Sequence, residues 1–141
     1  MDVDGVLSDA SGRQHLLGGE PKSWAAFFEA SVQDPPISEG IRLVAGLVDD
    51  RAMVLVTARP ARLADTTVAW LERNSVSWDL LVMRRDGDHR SSPEVKSEAL
   101  EGLRADGYEV QLALDDDPGN ARMYQAAGVS TVYLHSGYYD L

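Results

Sequence analysis

The stretch EVQLALDDDPGNARMYQAAG, at residues 109–128, contains the pattern that decides the fold. Its first six residues form a short run rich in apolar and strand-favouring side chains, which predicts a buried strand. Three aspartates follow, and Pro118 then begins a helical pattern that Gly128 ends. A strand that leads through a polar turn into a helix is the repeating unit of a parallel α/β sheet.

The same alternation extends along the rest of the chain. Three more apolar runs predict strands, namely AMVLVT at 52–57, DLLVM at 79–83 and STVYLH at 130–135. Helical patterns occupy residues 37–50, 60–74 and 92–107. Because strands alternate with helices, we expect right-handed crossovers and a parallel sheet.

Length, charge and composition restrict the function classes. At 141 residues, 44% of them hydrophobic, the chain is expected to form one domain over residues 1–141. A net charge of -10 disfavours nonspecific binding to nucleic acid or to an anionic membrane. Without cysteine, disulfides and thiolate metal sites are excluded. No apolar run approaches the roughly 20 residues of a membrane span and no signal peptide is evident, so we expect a cytoplasmic protein.

Polar side chains stand where the predicted strands end or where their helices begin. These side chains are Asp2, Asp4, Thr57, Lys96, Asp115 and Asp116. In an open parallel sheet, ligands bind beyond the carboxyl ends of the strands. We therefore expect these groups to meet at one edge of the sheet.

Several carboxylates in one small volume need a cation, because otherwise their pKa values would rise sharply. Mg²⁺ meets this need with oxygen ligands, whereas the lack of cysteine and the three scattered histidines argue against zinc. A carboxylate beside Mg²⁺ can attack phosphorus, and a second carboxylate can donate and accept the proton. A lysine and a threonine can hold the phosphoryl oxygens.

Four ordered segments identify a family by resemblance. DVDGV at 2–6, Thr57, Lys96 and LDDD at 114–117 resemble, in order and spacing, the four motifs of the haloacid dehalogenase (HAD) superfamily of phosphatases. The resemblance implies an α/β, Rossmann-like HAD fold with a five-stranded, mainly parallel sheet, a central first strand and helices on both faces. It also implies a Mg²⁺-dependent phosphomonoester hydrolase with an aspartyl-phosphate intermediate.

The resemblance implies a catalytic role for each matching residue. Asp2 would be the nucleophile and Asp4 the general acid and base. Thr57 and Lys96 would bind the phosphate.

The metal ligands follow from the same motifs. Asp2, the backbone carbonyl of Asp4, and Asp115 and Asp116 would bind or orient Mg²⁺, with Asp116 favoured over Asp115 as the direct ligand. Asn120, four residues after Asp116, would orient a metal-bound water.

A closer likeness covers the second half of the chain. VTARP at 56–60, LLVMRRDGDHR at 80–90 and the run at 112–129 resemble the 3′-phosphatase domain of phage-type polynucleotide kinase/phosphatase. This likeness implies that a nucleic-acid 3′ end is a candidate substrate, contacted by Arg59, Arg90 and Arg85 or its neighbour Arg84. A solvated loop is the alternative for residues 84–90. No kinase domain is expected, because the chain has no kinase phosphate-binding loop.

Two features bear on the entrance to the site. The intervals between the motifs leave no room for a cap domain, so the fold is expected to be capless and open to the end of a polymer. Trp24, Phe27 and Phe28 share one helical face, which predicts either a helix docked on the core or a wall of the entrance.

Because only Met1 precedes Asp2, we expect the first strand to be truncated in this sequence.

Three other function classes are alternatives to a polynucleotide phosphatase. A small-molecule phosphatase acting on nucleotides or sugar phosphates fits the same motifs, and the oligomeric state stays open. A non-catalytic HAD-fold binding module is disfavoured, because every motif residue is intact. A dehalogenase would not need Asp4.

Overall fold

The computed structural model describes residues 1–139 of the chain. Its strands are Val54–Pro60 (β1), Leu80–Arg84 (β2), Leu112–Asp115 (β3) and Ser130–Tyr133 (β4). Its α-helices are Trp24–Glu29 (α1), Ser38–Leu47 (α2), Ala64–Arg73 (α3), Ser92–Ala105 (α4) and Pro118–Ala126 (α5). The predicted alternation of strands and helices is confirmed. Across these residues, none of the helices combines the length and the apolar character needed to cross a membrane.

The strands form two parallel pairs. Strand β1 pairs with β2, with Val54 opposite Leu80, and β3 pairs with β4, with Leu112 opposite Ser130. The prediction of a five-stranded sheet is wrong for the described residues, which contain two two-stranded sheets.

The reason lies in the first two residues, which join the pairs without forming a strand. The Met1 nitrogen donates to the Val54 carbonyl at 2.8 Å, and the Met1 carbonyl accepts from Val56 at 2.9 Å. On the other side, the Asp2 nitrogen donates to the Leu114 carbonyl at 2.9 Å. The chain then leaves the sheet in a turn, so this dipeptide is too short to count as a fifth strand.

Hydrophobic packing holds the opening turn in place. Val3, Val6 and Leu7 are buried and pack with Trp70 of α3 and Val44 of α2. Such burial contributes about 1.5–3 kcal/mol for each large side chain. The turn that carries the first two aspartates therefore rests on the core.

Close backbone contact adds to this packing. A Cβ atom at Gly40 would lie 1.7 Å from the Val6 carbonyl oxygen, so the backbone of α2 approaches the turn directly. A second hydrophobic cluster packs α4 and α5 on β3 through Leu100, Tyr124 and Ala113.

Local capping fixes where two helices begin. Ser91 and Glu94 form a capping box at the start of α4, and Pro93 occupies its first turn. At the start of α5, the Asp117 side chain accepts a hydrogen bond from Gly119 at 2.7 Å. These caps place Lys96 at the start of the second turn of α4 and Asn120 on the first turn of α5.

Candidate functional site

A tight turn after Asp2 builds the first part of the site. Gly5 has φ +80°, a conformation that side-chain-bearing residues rarely adopt, and its nitrogen donates to the Ser8 carbonyl at 2.9 Å. The Leu7 and Ser8 nitrogens both donate to the Val3 carbonyl, at 2.8 and 3.0 Å. The turn thus places Asp2 and Asp4 on either side of the buried Val3.

Asp2, Asp115 and Asp116 form a buried acidic cluster. One carboxylate oxygen from each lies within 4.8 Å of the others. Their exposed fractions are 8%, 1% and 1%. The Asp2 backbone is held beside β3 by its hydrogen bond to Leu114, Asp115 is the last residue of β3, and Asp116 follows it. The structure therefore brings together the residues of the first and last motifs, as expected from the parallel topology.

Lys96 inserts its ammonium into this cluster. Its Nζ lies 2.9 Å from Asp2 Oδ1 and 2.6 Å from Asp115 Oδ2, and its side chain is 1% exposed. Burial alone would lower the pKa of Lys96, but the two carboxylates raise it well above its usual value. The lysine therefore stays charged and neutralises part of the cluster.

The single charge of Lys96 does not balance the three carboxylates of the cluster. Burial raises the pKa of Asp2 well above its usual value, with Lys96 opposing and Asp115 and Asp116 adding to the rise. Burial also raises the pKa of Asp116 to about 6, with the nearby Ser136 hydroxyl opposing the rise and Asp115 adding to it. A bound cation would remove this cost, because it favours the ionised carboxylates.

Asp115 and Asp116 differ in their hydrogen bonding. Asp115 Oδ2 accepts from Lys96, and its Oδ1 accepts from Asn120 Nδ2 and from the Asp117 nitrogen, both at 3.0 Å. By contrast, both carboxylate oxygens of Asp116 lack a hydrogen-bond partner within residues 1–139. The side-chain oxygen of Asn120 also lacks one there. Buried oxygens without a donor are rare in proteins.

The space around Asp116 fits a hard cation. A Cβ atom on Gly5 would stand 2.0 Å from Asp116 Oδ2, so only glycine leaves this carboxylate in place. The donor set consists of carboxylate and amide oxygens, which Mg²⁺ prefers, and contains no nitrogen or sulfur ligand. The residues present therefore suit Mg²⁺ better than zinc.

Thr57 follows directly after Val56, whose nitrogen donates to the Met1 carbonyl where β1 runs along the opening dipeptide. Its side chain is 1% exposed, and its Oγ1 accepts a hydrogen bond from the Arg59 nitrogen at 3.1 Å. A hydroxyl that accepts one hydrogen bond still has a proton to donate. Thr57 can therefore offer a hydrogen bond to an oxygen bound near Asp2.

The Asp4 carboxylate lies outside the acidic cluster and binds two buried arginines. Arg59 Nη2 approaches Asp4 Oδ1 at 2.7 Å and its Nε approaches Oδ2 at 3.2 Å, while Arg13 Nη2 also donates to Oδ1. Burial alone would raise the pKa of Asp4, but the Arg59 and Arg13 charges outweigh it and lower the pKa. Asp4 is therefore ionised in this arrangement.

Sequence reasoning missed Arg13, which is 2% exposed. Asp34 holds it in place, accepting from Arg13 Nε at 2.9 Å and from Nη2 at 2.7 Å. Ser8 Oγ also donates to Asp34 at 2.6 Å, and Arg59 Nη2 donates to Ser8 Oγ at 3.1 Å. The only sequence signal was an arginine in an irregular segment, which is usually a surface residue.

The other two predicted substrate arginines lie on an exposed loop. Arg85 is 81% exposed and pairs with Glu98 at 3.3 Å. Arg90 pairs with Asp88 at 2.7 Å and with Glu98. Neighbouring carboxylates thus engage both guanidinium groups.

Arg84 connects this loop to strand β1 through hydrogen bonds to backbone carbonyls. Its Nε donates to the Ala58 carbonyl at 2.9 Å, and its Nη1 donates to the Asp88 and Arg90 carbonyls at 3.1 and 2.6 Å. The arginine that touches the strand next to Thr57 is therefore Arg84, whereas Arg85 faces solvent.

Comparison with known proteins identifies a family that covers nearly the whole chain. The family model described as "Polynucleotide kinase PNKP phosphatase domain" matches residues 1–139. A search of the curated proteins finds no match.

Two solved structures are similar to the chain. "Structure of Pnkp1/Rnl/Hen1 complex" has a TM-score of 0.73 and 20% identity, over 94% of this chain and 43% of that one. "Structure of the Pnkp1/Rnl/Hen1 RNA repair complex" has a TM-score of 0.71 and 22% identity, over 94% and 40%. At these identities the likeness shows the fold, and the chain spans less than half the length of either structure.

The family match covers nearly the whole chain, including the segments that carry all four motifs. The chain therefore belongs to the polynucleotide kinase PNKP phosphatase domain family, a branch of the HAD phosphatases.

Proposed function

We propose that this domain hydrolyses phosphomonoesters with the aid of Mg²⁺, using Asp2 as the nucleophile, and that its substrates are nucleic-acid 3′-phosphates. One observation carries the proposal. Asp116 is buried beside Asp2 and Lys96, and neither of its carboxylate oxygens has a hydrogen-bond partner in the described residues. A cation would stabilise this ionised carboxylate, and a cation beside the Asp2 carboxylate is what phosphoryl transfer to that group requires.

Hydrogen bonding favours Asp116 over Asp115 as the direct metal ligand. Both oxygens of Asp115 already accept hydrogen bonds, which suits a residue that orients Lys96 and Asn120. Asp2, the backbone carbonyl of Asp4 and the Asn120 oxygen, which would bind or orient a metal-bound water, would complete the protein's contribution. The cation, when bound, supplies positive charge that reduces repulsion between the Asp2 carboxylate and the phosphoryl group.

In the first half-reaction, an Asp2 carboxylate oxygen attacks phosphorus. A bond forms between this oxygen and phosphorus, and the bond from phosphorus to the leaving oxygen breaks. Lys96 and the Thr57 hydroxyl bind the phosphoryl oxygens and stabilise the charge that they carry. The product of this step is an aspartyl-phosphate on Asp2.

Asp4 serves as the acid and then as the base. To protonate the leaving oxygen it must first bind a proton, yet Arg13 and Arg59 hold it as an anion. We infer that substrate phosphate oxygens take over hydrogen bonds from these arginines and so raise the pKa of Asp4. In the second half-reaction, Asp4 accepts a proton from water, the water oxygen attacks phosphorus, and the bond to Asp2 breaks.

The family supports a polynucleotide substrate, and the overall charge opposes it. With a net charge of -10, the chain repels a polyanion at long range, so binding must come from local contacts. Arg13 and Arg59 both bind Asp4, and both also lie close to Asp34. The case for a polynucleotide over a small sugar phosphate therefore rests on the family match.

A substrate panel tests the function. The protein is incubated with Mg²⁺ and 3′-phosphorylated oligonucleotides, 5′-phosphorylated oligonucleotides, 3′-mononucleotides and sugar phosphates at one ionic strength. We expect the highest kcat/KM on the 3′-phosphorylated oligonucleotide and loss of turnover with a chelator. Equal or higher kcat/KM on a mononucleotide or sugar phosphate would reassign the domain to small-molecule phosphatases.

Two variants serve as controls for this panel. Asp2→Asn removes the anionic nucleophile, and we expect no turnover of any substrate. Asp49→Asn makes the same chemical change at an exposed residue outside the site, and we expect wild-type rates. Activity without Mg²⁺ would contradict the metal assignment.

A further inference from the structure

Trp24 combines a large aromatic surface with unusual exposure. It is 49% exposed, the highest value among the large hydrophobic side chains of the described residues. Its ring stacks on Phe28, with centroids 5.9 Å apart and planes at 27°. We call Trp24 and Phe28 the aromatic pair. The half of the Trp24 ring that packing leaves exposed is an aromatic surface on which a ligand can stack.

The aromatic pair is connected directly to the candidate active site. Phe27, the neighbour of Phe28, is buried, and its ring contacts Trp24 edge-on at a centroid distance of 5.8 Å. The Arg13 guanidinium carbon lies 4.3 Å from the centre of the Phe27 ring, and Arg13 Nη1 donates to the Phe27 carbonyl at 3.2 Å. Arg13 in turn binds Asp4. Two side chains, Arg13 and Phe27, thus separate the aromatic pair from the proposed acid.

Contacts at both ends hold α1 and its aromatic pair in a defined position. At the start, the Ser23 nitrogen donates to the Leu16 carbonyl at 3.1 Å. At the end, Glu29 pairs with Arg62 at 3.3 Å. These contacts favour binding, because a ring that is already positioned loses less conformational entropy when a ligand stacks on it.

A positive charge lies over the same ring. The Lys22 Nζ is 5.8 Å from the Trp24 centroid, within the range of a cation–π interaction. An aromatic face next to a cation is the arrangement that binds single-stranded nucleic acid, since the base stacks and the cation meets the backbone phosphate.

We propose that the aromatic pair is a stacking platform for a nucleobase of the substrate strand, close to the 3′-phosphate that enters the active site. The inference rests on the proposed function, since it deepens the substrate class of the same site. Every base has a π-face, so the platform accepts any sequence. It also explains how a chain of charge -10 binds a polyanion, because stacking does not depend on net charge.

Kinetics on matched substrates test the platform. Trp24→Ala is compared with wild type on a 3′-phosphorylated single-stranded oligonucleotide and on a sugar phosphate. We expect KM for the oligonucleotide to rise about tenfold or more, with kcat unchanged and with no change for the sugar phosphate. Trp24→Phe keeps a ring and should recover most of the loss. Tyr108→Ala removes another exposed aromatic ring, 39% exposed and outside the site, and should have no effect.

An abasic substrate separates stacking from charge. An oligonucleotide whose last nucleotides lack bases keeps every phosphate, so it should be bound as weakly by wild type as by Trp24→Ala. If Trp24→Ala has wild-type KM on the oligonucleotide, or raises KM equally on the abasic substrate, the platform is wrong, although the phosphatase assignment stands.

A binding assay keeps the platform testable if catalysis is absent. If the wild-type protein hydrolyses no phosphate ester, the proposed function fails. Binding of the 3′-phosphorylated oligonucleotide to Asp2→Asn, followed by fluorescence anisotropy, then decides the platform alone. The platform predicts that Trp24→Ala in this background raises Kd about tenfold, and an unchanged Kd would overturn it.

Discussion

The Lys96 ammonium lies 2.6 Å from Asp115 Oδ2, and both side chains are 1% exposed. This ion pair occupies Asp115 and leaves the adjacent Asp116 as the buried carboxylate without a partner among residues 1–139. The division of labour between two neighbouring aspartates follows from it. Asp115 forms the ion pair with Lys96, and Asp116 faces the position where a metal fits.

Removal of Lys96 should destabilise the protein strongly. Lys96→Met leaves Asp2, Asp115 and Asp116 buried together, and breaking a buried pair by removing one partner costs about 3–5 kcal/mol. The free energy of unfolding in urea, measured with a chelator present, gives the value. Lys22→Met changes an exposed lysine, and we expect less than about 0.5 kcal/mol for it. Equal effects of the two substitutions would contradict the buried pair.

Gly5 should not tolerate even alanine. At φ +80° a side chain costs about 1–2 kcal/mol, and the added Cβ would also stand 2.0 Å from Asp116 Oδ2. We expect Gly5→Ala to lower both the melting temperature and the affinity for Mg²⁺, measured by calorimetry. Gly102→Ala, in α4 with open space around it, should stabilise by up to about 1 kcal/mol. Unchanged Mg²⁺ affinity in Gly5→Ala would argue against Asp116 as a ligand.

Stabilisation by Mg²⁺ should depend on pH. Burial raises the pKa of Asp116 to about 6, above the value of about 3.9 for an unfolded aspartate. The folded state then binds the proton more tightly than the unfolded state, so this group destabilises the fold as pH rises from about 4 to about 6, and fully above that range. Mg²⁺ competes with the proton and removes the penalty.

Thermal unfolding with and without Mg²⁺ checks this linkage. We expect the increase in Tm caused by Mg²⁺ to be larger near pH 7.5 than near pH 4.5. Asp116→Asn has no proton to lose, so its response to Mg²⁺ should be weak at both pH values. An equal increase at both pH values in the wild-type protein would remove Asp116 from the metal site.

Arg13 and Asp34 should couple strongly in a double-mutant cycle. Their side chains are 3% and 6% exposed and share two hydrogen bonds from Arg13 Nε and Nη2 to Asp34. Urea unfolding of Arg13→Gln, Asp34→Asn and the double variant should give a coupling energy of about 1–3 kcal/mol. The exposed pair Arg42 and Glu39 on α2 should give about 0.5 kcal/mol or less. Similar coupling in both pairs would contradict a structural role for Arg13.

The sequence predicted the elements and the acidic cluster because both follow from local rules. Apolar runs identify β1 to β4, and helical spacing identifies α2 to α5. Once the strands are taken as parallel, Asp2, Lys96 and Asp115 must meet at their carboxyl ends. No distance between distant segments had to be known.

The sequence could not predict what depends on long-range contacts. Arg13 pairs with Asp34 and Asp4 through an irregular segment, and no periodic pattern reports that pairing. The five-stranded sheet failed because Met1 and Asp2 bond to both neighbours over too short a length to form a strand. Arg85 and Arg84 are adjacent in sequence, and only the direction of each side chain separates the exposed one from the one beneath the loop.

The most direct test of the account is detection of the phosphoryl group on Asp2. The Asp4→Asn protein, which cannot activate water, is mixed with Mg²⁺ and p-nitrophenyl phosphate, whose phenolate leaves without a proton from Asp4, and its peptides are analysed by mass spectrometry after quenching. We predict one added phosphoryl group on the peptide that contains Asp2 and none when Asp2→Asn is added to the same protein. A phosphoryl group on another residue, or full turnover by a folded Asp2→Asn protein, would contradict the account.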